Sequence, residues 1–320
     1  MMGDGDVVVV GSANIDMVVK TLRMPDRGET VIGGGFAMIP GGKGANQAVA
    51  SSRLGCRTYF IGKIGTDLFG DIILRNLELE GVVTRYVLRD PSSHSGVALI
   101  IIDERGENTI VVAPGANQLL SPEEIASAEA AMEGAKVLIT QLEIPLDSVE
   151  MAISMAHDKG LTVILNPAPA RGDIPSSILE KVDVLTPNKL EASLISGIRV
   201  NGPNAAKEAA RRLLELGPKA VVVTMGSDGA LLCEEDRAFL FLPHHVDVVD
   251  TTAAGDAFNG ALAASLAEGK GIEDAVFMAN CAGALAVTVM GAQPSMPRRD
   301  ELYRFIEGKK GPRDMYVVEV

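Results

Sequence analysis

The segment Asp250-Thr-Thr-Ala-Ala-Gly-Asp256-Ala-Phe-Asn-Gly260 joins small residues and one carboxylate to the entrance of an Ala/Leu-rich helix expected to run to about Gly269. It follows a strand-like run, Val246 to Val249. Small residues at a helix entrance leave backbone N–H groups unpaired at the positive end of the dipole and let a ligand come close, a combination that suits phosphate. A carboxylate beside a phosphate repels it, so Asp256 makes better sense as a base than as a charge. A hydroxyl attacking a terminal phosphoryl group needs a proton acceptor, while the amides of Ala253, Ala254 and Gly255 would neutralise the transferring oxygens. Acids are also common in first turns, where they only complement the dipole, and an isolated Ala-Ala-Gly-Asp would be read that way.

A second cluster, Pro40-Gly41-Gly42-Lys43-Gly44-Ala45-Asn46-Gln47, feeds a helix expected from Ala45 to about Leu54. Adjacent glycines permit close backbone approach, Lys43 supplies a cation, and Asn46 both donates and accepts. The spacing is not that of a Walker A loop, because Gly44 stands where Ser or Thr would hold magnesium. Near the start, Gly11-Ser-Ala-Asn14-Ile-Asp16 places Asn14 and Asp16 at the carboxyl end of the first strand, the edge where open α/β sheets bind ligands; alone, both residues would be read as turn formers. GxGxxG, GxSxG and HExxH motifs are absent, so dinucleotide binding, serine hydrolysis and zinc proteolysis lack their fingerprints. The four histidines, His94, His157, His244 and His245, have no metal-ligand spacing.

These residues need a frame. Val7 to Val10, Val137 to Thr140, Val163 to Leu165, Val182 to Leu185 and Val221 to Thr224 read as strands buried on both faces. Helices lie between them: Ser121 with Glu124 makes a capping box, and Pro203 opens a segment that Gly217 closes. This βαβ rhythm predicts an α/β, doubly wound, mostly parallel sheet flanked by helices. Residues 16–41 and 94–114 alternate apolar and polar residues between Gly/Pro punctuation, and are expected to form a small separate β-sheet, a lid. No repeat or long linker divides the 320 residues, which read as a single domain.

Composition narrows the partners. A formal charge of -13 and an aromatic content of 4% argue against nucleic acid and anionic membranes. Residues 275–297 carry no charged side chain, but Asn280, Gln293 and several small residues point to a helix packed in a core. Cys56, Cys233 and Cys281 are odd in number and far apart, as for buried thiols in a reducing compartment. Two acids before the first apolar run reverse the charge of a signal peptide, so a cytoplasmic location is expected.

Taken jointly, the motifs resemble the family of carbohydrate and nucleoside kinases that also contains the minor phosphofructokinase, and within it the ribokinase branch. The likeness runs from Gly11 to about Phe305. It comprises GSANID (11–16), PGGKGANQAVA (40–50), QLEIP (141–145), LNPAPAR (165–171), LTPNKLEA (185–192), TMGSDGA (224–230), DTTAAGDAFNG (250–260) and GAQPSMP (291–297). The resemblance implies ATP-dependent phosphorylation of the 5-hydroxyl of D-ribose with Asp256 as base. Asn14, Asp16, Gly41, Gly42, Lys43, Asn46 and Glu143 would hold the sugar. Asn188 and Glu191 would organise magnesium through water. Thr224, Met225, Gly226, Ser227, Asp228, Gly229, Gly255 and Asn280 would line the ATP site. Asp250, Thr252 and Ser295, with carbonyls of Ala286, Val289 and Gly291, would cage an activating potassium ion, and the lid would join a homodimer. Another sugar or a nucleoside as acceptor, or a noncatalytic sugar-binding module on the same fold, stands as the alternative. The tail after Lys310 has no counterpart in the resemblance; its apolar end is expected either to dock on a neighbour or to stay disordered.

Overall fold

A computed structural model describes residues 5–308 and 316–320. In chain order the strands are β1 (Asp6–Val10), β2 (Asn14–Lys20), β3 (Phe36–Gly41), β4 (Arg57–Gly65), β5 (Val83–Asp90), β6 (Gly96–Ile102), β7 (Asn108–Ala113), β8 (Ala135–Gln141), β9 (Thr162–Asn166), β10 (Val184–Leu185), β11 (Ala220–Thr224), β12 (Ala230–Cys233), β13 (Ala238–Phe241) and β14 (Val317–Glu319). Ten of them form one sheet in the order β14-β13-β12-β11-β10-β9-β8-β1-β4-β5, and β3-β2-β6-β7 form a second. From β5 to β11 the large sheet is parallel; β12, β13 and β14 are antiparallel.

Side chains alternate across a strand, and here both faces are covered. Val7 and Val9 enter one apolar core, Val8 and Val10 the other. That is why β1 reads as an unbroken valine run rather than an alternation. The first core carries helices Lys43–Arg53, Ala254–Ala267 and Ile272–Ala286, and the second carries Leu146–Asp158 and Pro203–Leu214. The Ser121/Glu124 capping box is present, though the helix it opens, Pro122–Ser127, is short. Cys56, Cys233 and Cys281 are all buried. Among the described residues no helix is long and apolar enough to cross a membrane.

The small sheet is mixed: β2 pairs with β6 in parallel, while β3 and β7 flank them antiparallel. Its register sorts the residues. Asp16 stands opposite Ala98, and Ala98 opposite Val112, on the face toward the large sheet; Met17, Met38, Leu99 and Val111 form a row on the other face.

Three expectations need correction. Val246 to Val249 forms no strand: Val248 and Val249 are exposed, and the Val249 amide donates to the Val287 carbonyl. Its β-branched residues lack a ladder, because the edge of β13 beyond β12 is taken by β14. Val182 to Leu185 shrinks to the two residues of β10. The end of the tail neither docks elsewhere nor frays, since Val317–Glu319 is the tenth strand; residues 311–315 lie outside the described part.

Candidate active site

The parallel strands deliver their carboxyl ends to one edge, the position at which such sheets bind ligands. There Gly11 follows β1, Gln141 ends β8, Asn166 ends β9, Thr186 follows β10 and Thr224 ends β11. With helix entrances at Lys43 and Ala254 and the small sheet above, they enclose a cleft of about 420 Å³. Asn14, Asp16, Gly42, Lys43, Asn46, Glu143, Asn188, Glu191, Thr224, Thr252, and Ala253 through Asp256 all line it. Residues spread over 242 positions of sequence therefore meet in one place, from Asn14 to Asp256 (256 − 14).

Asp256 lies in the first turn of helix Ala254–Ala267 and is buried. No side chain caps that helix. Ala253 precedes it in the left-handed region, at φ 58°, the one such non-glycine residue among those described. The Ala254 amide leans on the Thr251 carbonyl at 3.4 Å, whereas Gly255 and Asp256 occupy positions whose amides have no partner inside a helix. Asp256 Oδ2 accepts from Asn46 Nδ2 at 2.8 Å, and Oδ1 from Gln47 Nε2 at 2.9 Å. Burial raises the Asp256 carboxyl above the ordinary range, opposed by Lys43 and the two amides. Asn46 lines the cleft, and its Oδ1 is buried without a hydrogen-bond partner, an acceptor that still needs a donor.

Around it, Asn14 Oδ1 accepts from Asn117 Nδ2 at 2.8 Å, which leaves the Asn14 amide donors for a ligand. Glu143 Oε2 accepts from Ser12 Oγ at 2.5 Å and from the Lys43 backbone at 3.2 Å. Gly42 has φ 87°, and a β-carbon there would lie 2.7 Å from the Asn14 nitrogen, so no other residue fits that turn. Gly41 is outside the cleft wall, but a β-carbon on it would lie 2.3 Å from Asp16 Oδ2. Lys43 faces Asp256, Glu143, Glu191 and Asp16; burial lowers its pKa, yet the carboxylates outweigh burial and raise it.

Asp16 is pushed up to about 7, by burial first and then by Glu143 and Asp256, with Lys43 opposing. Between its ordinary value of 3.8 and about 7 the folded chain holds a proton that the unfolded chain releases, so this contribution to stability is full at pH 4 and lost as pH rises through 7. The gap corresponds to at most about 4 kcal/mol. Asp16→Asn is therefore expected to raise the melting temperature of the ligand-free protein at pH 8 and leave it unchanged at pH 4. Melting curves of both proteins across that range measure it.

Asn188 and Glu191 form a reciprocal cap on helix Lys189–Ser196: Asn188 Oδ1 accepts the Leu190 and Glu191 amides, and Glu191 accepts from the Asn188 backbone and side chain. Burial raises the Glu191 carboxyl. Among the described residues no three His, Cys, Asp or Glu side chains stand close enough to hold a metal ion directly, and oxygens already engaged in a cap suit contact through water. Of the expected nucleotide residues, Thr224 and Gly255 reach the cleft, whereas Met225 to Gly229 form a separate turn in which Asp228 pairs with Lys189 at 3.1 Å. Asn280 donates to the Leu242 carbonyl at 2.9 Å, whose residue's own amide donates to Tyr316.

Asp250 stands below the ordinary carboxylate range. Burial pulls it up, but the Gly291 amide on Oδ2 and the Thr252 amide on Oδ1 outweigh that. The carboxylate is thus charged and tied to the turn after Ala286, whose carbonyl accepts from Val289. Ser295 Oγ donates to the Ala292 carbonyl at 2.7 Å. Sequence reading missed the roof of the cleft, Ala98, Ile100, Asn108, Ile110 and Val112, and the wall residues Asn166, Thr186 and Asn259. The roof was accessible from the two-residue spacing along β6 and β7; the wall residues fall inside LNPAPAR, LTPNKLEA and DTTAAGDAFNG, where their neighbours drew the roles.

Residues 4–299 match the family described as pfkB family carbohydrate kinase, and the chain belongs to that family. It is 40% identical to the ribokinase of Bacillus subtilis (strain 168) over 297 residues, covering 93% of this chain and 98% of the relative. Against the deoxyribokinase of Salmonella typhi the identity is 36% over 301 residues, covering 94% and 98%. A solved structure of Arabidopsis thaliana ribokinase complexed with ribose and ATP superposes with a TM-score of 0.88 at 32% identity, covering 96% of this chain and 100% of that one.

Proposed function

We propose that the chain transfers the terminal phosphoryl group of ATP to the 5-hydroxyl of D-ribose, giving D-ribose 5-phosphate and ADP. The observation that carries this is Asp256, a buried carboxylate at the uncapped entrance of a helix, in a cleft of hydrogen-bonding groups under a largely apolar roof. Asp256 accepts the hydroxyl proton as the oxygen attacks phosphorus and the bond to the bridging oxygen of ADP breaks. The amides of Ala253, Ala254 and Gly255 face the charge that develops. Asn14, Asp16, Gly41, Gly42, Lys43, Asn46 and Glu143 hold the sugar, whose hydroxyls each need a partner once buried. Thr224 to Gly229, Gly255 and Asn280 receive the nucleotide, and Asn188 and Glu191 hold its magnesium through water. A bound magnesium would neutralise phosphate charge.

Asp250, Thr252 and Ser295 with the carbonyls of Ala286, Val289 and Gly291 form the proposed potassium site, supported by the charged Asp250 carboxylate tied to that turn. The ion would stiffen the loop that carries the amides. The exposed apolar face of the small sheet, with Phe36, Met38, Leu99 and Val111, supports a homodimer through the lid, and the location is read as cytoplasmic.

The similarity to a deoxyribokinase makes 2-deoxy-D-ribose the rival acceptor. ATP turnover measured on pentoses, hexoses and nucleosides in potassium, sodium and lithium buffers tests these points. D-ribose in potassium is expected to be fastest. Faster turnover of 2-deoxyribose overturns the acceptor, and equal rates in the three salts overturn the cation.

A further inference from the structure

Behind the cleft wall lies a chain of buried side chains drawn from five of the motifs, none of them given a role by the sequence. Gln141 Nε2 donates to Gln47 Oε1 at 2.6 Å; Gln47 Nε2 donates to Asp256 Oδ1 at 2.9 Å and to Asn166 Oδ1 at 3.1 Å. Asn166 Nδ2 donates to the Thr186 carbonyl at 3.1 Å, the Thr186 hydroxyl to Asn259 Oδ1 at 2.6 Å, and Asn259 Nδ2 to the Gly255 carbonyl at 2.8 Å. The chain leaves Asp256 through its side chain and returns at Gly255. It thus fixes the carboxylate and the first-turn backbone to the same strand ends.

Gln47 is the junction. It is fully buried, and both N–H donors of its amide are used, while the oxygen accepts once. It has no donor left for a ligand, and its orientation is fixed because a flip would set its oxygen against the acceptors Asn166 Oδ1 and Asp256 Oδ1. We infer that Gln47 is a positioning residue for phosphoryl transfer: it clamps Asp256 Oδ1 and thereby aims the carboxylate at the acceptor hydroxyl while favouring its charged form. The inference rests on the reading of Asp256 as base. Other charged groups facing Asp256 are Lys43 and Glu143, with Asp16 and Glu191 from the sheet and helix opposite, and Gln47 variants leave all four in place.

Gln47→Met removes the donor at similar length. It is expected to lower kcat about tenfold or more with the sugar KM changed less than about twofold, and to move the acidic limb of kcat upward by about 1 pH unit, since a carboxylate that loses a donor holds its proton more tightly. Gln47→Glu, isosteric and able to keep the Gln141 contact, sets two carboxyls together and is expected to move the limb further in the same direction; it carries the test if the methionine variant does not fold. Added to Asp256→Asn, Gln47→Met should cost no further activity. An unmoved limb and unchanged kcat in both Gln47 variants, with Asp256→Asn inactive, overturn the positioning role alone. Near-normal turnover of Asp256→Asn would instead overturn the base assignment beneath it.

Discussion

Asp256→Asn is expected to lower turnover of ATP and ribose by about 10²–10⁴-fold while both ligands still bind. The change removes the proton acceptor and little else. Gln47 Nε2 can still donate to the new side-chain oxygen, and the Asn46 amide can turn to offer its unpartnered Oδ1 to the new NH₂. Removal of a buried charge also relieves the desolvation that raises the Asp256 carboxyl, so the variant should fold at least as well as the parent. Steady-state turnover paired with calorimetric titration of each ligand separates chemistry from binding. Near-normal turnover would refute the base.

Gly260→Val has the second largest expected effect, on folding and activity together. Gly260 sits one helical turn beyond Asp256, where helix Ala254–Ala267 crosses Lys43–Arg53. A β-carbon there would lie 2.4 Å from the Ala50 β-carbon and 2.8 Å from the Gln47 carbonyl, neither of which can swing aside. The Ser51 hydroxyl also donates to the Gly260 carbonyl at 3.0 Å, pinning the two backbones. Forcing them apart costs about 1–3 kcal/mol. It also draws Asp256 away from Asn46 and Gln47, which ride on the other helix, so turnover should fall more steeply than thermal stability. A lowered melting temperature with turnover per folded molecule intact would show that the crossing serves stability alone.

Much of this was legible in the chain. Two-faced burial wrote β1, β8, β9 and β11 as apolar runs, and the alternation in residues 16–41 and 94–114 announced the second sheet. The small-residue helix entrances at Lys43 and Ala254 announced the cleft they line, because close backbone approach needs small residues, a demand visible at single positions. What failed was context. Val246 to Val249 has the composition of a strand, but a strand needs a partner, and the partner's edge is held by residues about 70 positions later. Gln47 and Asn166 looked like ordinary polar residues because their chemistry consists of contacts with groups 94 and 119 positions away in one case, and 20 in the other.

The short strand β14 has a consequence for how copies of this chain avoid one another. Without it the large sheet would end in Ala238-Phe-Leu-Phe241, an apolar strand whose outward N–H and C=O groups would be open to pairing with a second molecule. The chain instead lays Val317–Glu319 along that edge as its own guard, with Glu319 opposite Phe239 at one end of the exposed border. A three-residue border that carries a charge at one end is a poor template for continuation, so the sheet closes on a short strand of the same chain rather than on a long open edge.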